Sequence, residues 1–493
     1  MSDDAAGGAA FSVEELQALV AELREINTGL GQVLAGKDRQ IAALEARIAE
    51  LERRAGQDSS TSSRPPSSDS PYAKPAPRSS RTRSGRKPGK QPGAAGFTLP
   101  LVEDPDEIID CEPGPCPDCG ADLGDGQVLG FQRRQVFDIP PPPPRPHVRE
   151  YRLWMRACPC CGTTAAGPPP GWVRARTQYG PRVCAQAAHL LAGHYLPVGR
   201  TAAVLGAMTG AVVSTGFLAG IRARAARLLE VAFLPRVREL LAGAGVIHVD
   251  ETPGRAAGTL RYVHVAATEH LTVMHTGGRT KADIDAGGVL PGYTGTIVRD
   301  GYAGYAHLTD AHHAWCGAHL ARDLRALHEA DPAGQVWASA MATTLADANT
   351  AAAHARAGGA DALDAATLAR IRNHYRGATA KGITDNSTRA GPHTRNGATL
   401  ARRFRDNEDM ILRFVTDLAV PWTNNQAERD VRPVKIQQRT SGGCWRTLEG
   451  IADFAIVTSY LSTATKWGLD KIDVLHQLFT TGAWLPHALT PAE

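Results

Sequence analysis

Two short cysteine turns constrain this chain most: Cys116-Pro-Asp-Cys119-Gly and Cys158-Pro-Cys-Cys161-Gly. A Cys-Pro-x-Cys-Gly turn aims two thiolates at one point, and its glycine permits the tight backbone that follows. Two such turns joined by strands make the tetrahedral four-sulfur site that zinc prefers. Cys116, Cys119, Cys158 and Cys161 fill all four positions and leave none for water, so the zinc is expected to be structural. Cys160 competes with Cys161, but the Cys-Pro-x-Cys-Gly frame favours Cys161, and Cys111 has no partner turn. Six of the nine cysteines fall between Cys111 and Cys161. In a cytosolic chain such clustering points to metal rather than to disulfides.

The compartment follows from what the sequence lacks. No apolar run reaches the ~18 residues of a membrane span, and the acidic start MSDDAAGGAA has no basic-then-apolar signal pattern. A cytoplasmic protein with no membrane partner is expected. Its 493 residues are 43% hydrophobic and 21% charged, enough for several packed domains at roughly 150 residues each.

Residues 1–55 form the first segment, and 11–55 read as one helix. Leu16, Leu19, Leu23, Ile26, Leu30 and Val33 recur at gaps of three and four, the seam of a coiled coil, and the pattern slips near Lys37 before Ile41, Leu44, Ile48 and Leu51. A self-associating helix is favoured over one packed on its own chain. Residues 56–95 are rich in Ser, Pro, Gly and Arg and bury too little apolar surface to fold. Between Arg64 and Lys90 eight Arg or Lys stand against one acid, Asp69. This charge, with Arg81, Arg83, Arg86 and Lys87 at its centre, suits a polyanion such as DNA; a solvated linker with no partner is the equal alternative.

The cysteine turns lie in a small β module over 96–172, where VLGFQRRQVFDIP and HVREYRLWMRA alternate as short strands do, joined by the stiff run Pro140–Pro144. Residues 175–235 turn helical, with two helices around a turn near Gly206–Gly210. A helix-turn-helix has this layout, with Arg222 and Arg224 near the second helix as DNA contacts; an ordinary helical hairpin has it too.

Beyond residue 240 the pattern is α/β. AGVIHVDET and GTIVRDGY read as buried strands ending on Asp250 and Asp300, and LRYVHVAATEHLTVMHT as a hairpin turning near Thr268–His270. Residues 318–400 are largely helical, broken by ITDNSTRAGPHTRNG. A further short helix after Asn424, its expected N-cap, carries Glu428, and Pro433 should end or kink it. Residues 240–465 make one domain with a helical insertion, and 466–493 a tail. An acid at a strand's end is held rigidly on the rim where α/β sheets bind ligands. Two such acids side by side repel and call for a cation. With Glu428 they can hold two divalent ions, magnesium or manganese, for in-line displacement at phosphorus. Glu251, Asp283, Asp285 and Asp310 are competitors that spacing does not exclude. Arg429, Arg432 and Lys435 surround the third acid as further DNA contacts. Trp422 and Trp445 read as core residues before stacking platforms. A different metal hydrolase built on His248, His264 or His275 has no supporting spacing.

Taken in order, HVDET, RDGYAGY and NNQAERDVRP resemble the DDE transposases of the insertion sequence sixty-six family, the TnpC type. The leading leucine helix, the SSTSSRPPSSD segment, the CPDCG and CPCCG knuckles and the helical stretch after QYGP have counterparts there. The resemblance implies a ribonuclease-H-like catalytic domain with Asp250, Asp300 and Glu428 as its metal-binding triad. It implies cleavage that frees a 3′ hydroxyl at each element end, then attack of that hydroxyl on target DNA. It further implies double-stranded DNA as partner, a homo-oligomer, small accessory proteins of the same element, and a bacterial, nucleoid-associated setting. Cys316 and His319, in AWCGAHL, match the family's Cys-x-x-His element; their spacing suits half of a metal site, but a structural role is favoured, since no second ligand pair follows nearby. A domesticated copy that binds DNA without moving it is the alternative, and retention of all three acids argues against it.

Overall fold

The structure is a computed structural model that describes residues 12–55, 93, 100–139, 145–389 and 393–491. The basic stretch with Arg81, Arg83, Arg86 and Lys87, and the run Pro140–Pro144, lie outside the described residues.

Helix α1 spans Val13–Ala55 without a break, through the register slip near Lys37. Its start is a reciprocal cap: Ser12 Oγ accepts the Glu15 N–H (3.2 Å) and Glu15 Oε2 accepts the Ser12 N–H (2.8 Å). The leucine seam stays about half exposed along its length, Leu16 at 47% and Leu23 at 55%. Nothing else among the described residues covers it.

In the cysteine module the two knuckles fold alike. Gly120 N–H donates to Cys116 O and Gly162 N–H to Cys158 O, and both glycines adopt positive φ, 74° and 75°. Strands β1 (Met155–Ala157) and β2 (Thr164–Ala166) pair antiparallel on either side of the second knuckle. The strand expected over 128–139 is not formed; Val128, Phe131 and Val136 are exposed. Alternation makes a strand only where a partner and a face to bury are at hand.

The remainder is a mixed α/β body. It begins with α2 (Pro181–Ala188), a π turn at His189–Gly193, α3 (Val198–Thr209) and α4 (Thr215–Ala242). Gly210 ends α3 at φ 68° and Ser214 caps α4 by accepting the Phe217 N–H. Next come β3 (Val246–Ala256), β4 (Thr259–Ala267), β5 (Thr272–Gly277), α5 (Lys281–Asp285), β6 (Thr296–Arg299) and β7 (His312–Trp315). The sheet order is β5-β4-β3-β6-β7: the first three strands are antiparallel, and β6 and β7 run parallel to β3. Helices α6 (Gly317–Ala330), α7 (Val336–Ala357), α8 (Ala365–Thr388), α9 (Thr394–Asp406), α10 (Glu408–Ile411) and α11 (Arg413–Thr416) follow β7, packed around Trp337, Tyr375 and Phe404. Then α12 (Asn425–Thr440), α13 (Leu448–Lys466) and α14 (Lys471–Leu478) return to the sheet. No helix among the described residues is long and apolar enough to cross a membrane.

Three boundaries differ from the sequence expectation. The 175–235 helices do not stand apart: Leu218, Leu229 and Phe233 share one core with Ile247 and Val249 of β3. The 466–493 segment is not a loose tail, because Val474, Leu475 and Phe479 join that same core. Pro433 does not end α12; the helix runs on to Thr440. The lost hydrogen bond is offset by packing, with Val431 and Val434 buried on either side.

His264 and His275 face each other across β4 and β5, their rings stacked 4.8 Å apart. Each Nε2–H donates to a carbonyl, Gly278 O (2.9 Å) and Asp283 O (2.8 Å). Burial, and then His264, hold the His275 imidazole down at about 4. A histidine harder to protonate when folded stabilises above its unfolded pKa of ~6.5, and this contribution is lost as pH falls through about 4, at most about 3 kcal/mol. Urea unfolding at pH 7.5 and pH 4.5 should show that loss, and His275→Leu should shrink the difference.

Candidate metal and nucleic-acid site

Alternation along β3 sorts its residues. Ile247 and Val249 enter the core under α4, while His248, Asp250 and Thr252 face α12. Parallel pairing matches His248 with Val298, so Asp250 and Asp300, each two residues further on, emerge on the same rim. Asp250 Oδ1 accepts its neighbour's N–H, from Glu251 (2.9 Å). Asp300 Oδ1 accepts the Tyr302 N–H (2.8 Å) in a tight turn. Beneath that turn the buried Arg299 guanidinium donates to the Asp300 and Tyr302 carbonyls and to His313 Nδ1.

Glu428 sits in the first turn of α12, which three contacts pin over β3. Asn424 occupies the N-cap position, but its side chain does not cap the helix. Its amide donates to Val249 O (2.8 Å), its oxygen meets His248 Nδ1 (3.0 Å), and its backbone N–H donates to Cys316 Sγ (3.2 Å). Two residues past Glu428, buried Asp430 pairs with Lys466 of α13 at 2.6 Å. Lys435 donates to Pro253 O (2.7 Å).

The electrostatics are unbalanced. Burial first, then the charges of Glu251, Asp300 and Glu428, raise the Asp250 carboxyl well above the usual range. Glu428 Oε1 is buried without a hydrogen-bond partner. Among the described residues the ligand oxygens of Asp250, Asp300 and Glu428 do not all lie within 4.8 Å of one another, yet their charges oppose ionisation at Asp250, and a divalent cation drawn among them would remove that repulsion.

The competing acids have other work. Glu251 points to the opposite face, where Arg279 pairs with it (3.1 Å from Nε) and Tyr305 donates to it (2.9 Å). Asp283 caps α5 with Thr280, whose hydroxyl leads the interactions that lower its carboxyl to about 2. Asp285 takes His307 (2.8 Å), and Asp310 is exposed. Of the histidines, His248 is held by Asn424, and His264 and His275 by carbonyls, so no hydrolase centre forms from them.

The basic candidates divide. Arg429 and Arg432 are exposed on α12 beside Glu428. Arg222 is half-buried opposite Asp453, and Arg224, also half-buried, lies over the Phe479 ring at 5.3 Å. Burial, then Arg439, lowers the Lys435 ammonium to about 8. Trp445 is buried against Phe454 and Trp422 packs on Phe414. In the cysteine module the sulfurs come together two by two, Cys116 with Cys119 and Cys158 with Cys161. Among the described residues the two pairs are not gathered at one point.

A family model described as the Transposase IS66 family matches residues 176–452, more than half of the chain. The chain belongs to that family. The zinc-finger binding domain of the IS66 transposase matches residues 113–162, which supports a structural zinc in this segment. A family of unknown function matches residues 8–99. No curated protein matches the chain. The transposase match begins within five residues of α2 and ends in α13, so it takes in α2, α3 and α4, which share the sheet's core, and stops short of α14.

One group escaped the sequence reading. Cys316 and His319 open α6 and lie with Glu428, their ligand atoms all within 4.8 Å of one another. A Cys-x-x-His at a helix start is visible in the sequence; its meeting with Glu428, more than a hundred residues on, is not.

Proposed function

We propose that this chain is a DNA transposase that binds the ends of an insertion sequence and cuts and joins strands through Asp250, Asp300 and Glu428. The observation that carries the reading is the Asp250 carboxyl, half-buried on the rim it shares with Asp300, where the charges of Asp300 and Glu428 oppose its ionisation. The sheet order, three antiparallel strands followed by two parallel ones, supports a ribonuclease-H-like catalytic domain. Asp250, Asp300 and Glu428 would hold magnesium or manganese. Such ions, when bound, lower the pKa of an attacking hydroxyl and stabilise the leaving oxygen at phosphorus. The protein's own part is to keep the three acids fixed: Arg299 braces the Asp300 turn, and Asn424 and Asp430 lock α12. Exposed Arg429 and Arg432 suit the phosphates of double-stranded DNA on either side of the cut.

The test is incubation of the wild-type chain, in magnesium, with a duplex carrying the repeats that flank its gene. A cut exposing a 3′ hydroxyl at the repeat end supports the reading. Binding without cutting in magnesium or manganese would leave a DNA-binding protein only.

Cys116, Cys119, Cys158 and Cys161 are proposed as the zinc ligands, each knuckle already shaped to offer two sulfurs. Cys116→Ser should lower zinc content from one ion per chain and lower the module's melting temperature; unchanged zinc by mass spectrometry would reject the assignment. The half-exposed seam of α1 is proposed to pair with a second copy, since two seams bury what one leaves open. Deleting residues 1–55 should halve the mass in sedimentation, and an unchanged mass would exclude that pairing.

A further inference from the structure

We infer that His319 is a fourth protein ligand of the divalent ion held at Glu428, with Cys316 the residue that positions it. The inference rests on the reading of Asp250, Asp300 and Glu428 as a cation site. His319 Nδ1 stands 3.6 Å from Glu428 Oε1. Both atoms are buried, and neither has a hydrogen-bond partner. An imidazole nitrogen and a carboxylate oxygen that face each other beyond bonding distance leave room for one body between them, and each offers it a lone pair.

Cys316 differs from these two. Its Sγ is engaged, taking the Asn424 N–H at 3.2 Å, and it occupies the N-cap position of α6. Gly317 N–H donates to Trp422 O (2.9 Å) beside it. A Cβ on Gly317 would strike the Trp422 ring, so the two helix starts meet closely. These contacts join the starts of α6 and α12, and His319, one turn into α6, is thereby brought opposite Glu428, one turn into α12. The cysteine thus ties the scaffold while the histidine faces the ion. A nitrogen among oxygen donors shifts preference from magnesium toward first-row transition ions such as manganese.

Manganese is the probe, because its electron spin echo is modulated by a directly bound ¹⁴N and because four-thiolate sites do not favour it. In the full-length chain, Mn²⁺ should show ¹⁴N modulation, which His319→Gln removes while Mn²⁺ affinity falls at least about tenfold. Labelling with [¹⁵N]histidine should convert the signal without any substitution, which covers the case of a variant that folds poorly. Bound Mn²⁺ with no nitrogen modulation, or modulation that survives in His319→Gln, would overturn the inference and leave the three-acid reading standing. No Mn²⁺ bound by the wild type, or binding that Glu428→Gln leaves unchanged, would overturn both.

Discussion

Glu428→Gln is expected to lower magnesium-dependent DNA cleavage by at least about 10²–10³-fold, the scale of losing one preorganised group that stabilises developing charge. The substitution keeps the shape of the side chain, and α12 stays pinned through Asn424 and Asp430. Binding to the same duplex should therefore remain within about threefold, since phosphate contacts carry most of that affinity. Gel-shift titration across salt concentrations, run beside the cleavage assay, separates the two effects. Cutting by the variant at the wild-type rate would remove Glu428 from the site and shift attention to another acid.

Lys466→Met should cost about 3–5 kcal/mol of stability, the penalty of leaving one member of a buried ion pair alone. Lys466 is 11% exposed and Asp430 8%. The ammonium also donates to the carbonyls of Thr268 and Leu271 and to the Thr272 hydroxyl, so its loss takes a charged donor from α12, the β4–β5 turn and β5 at once, and leaves the Asp430 charge with only the neutral donors Gln426 and Thr272. Urea unfolding measures the loss, and the double variant with Asp430→Asn should recover a good part of it. A cost below about 1 kcal/mol would show that water reaches the pair.

The rim of the sheet was legible before any coordinates because a buried apolar run ending in an acid is a local pattern. VIHVD and TIVRD carry it, and the β4–β5 hairpin turns at Thr268, whose N–H donates to Leu271 O. The knuckles are local as well. What escaped is long-range. Periodicity marks an apolar face but not what covers it, so α4 and α14 gave no sign that they share a core with β3. Strand β7, four residues with two histidines, is too short to register. Asn424 reads as a helix cap from its position, yet its side chain bonds to β3, which only the crossing of α12 over the sheet explains. His319 was visible as one half of a pair whose other member, Glu428, comes from another helix.

Helix α14 packs on α2, so Leu475 and Phe479 complete a core that Cys184 and Leu191 begin. During synthesis that core waits for nearly three hundred intervening residues. Contacts so far apart in the chain make for slow closure, and the strands bearing Asp250 and Asp300 emerge from the ribosome well before their support is finished. The cysteine module and α1 precede them in the chain. A chain cut short before α14 would leave this core open and the rim that carries Asp250 and Asp300 without its last support.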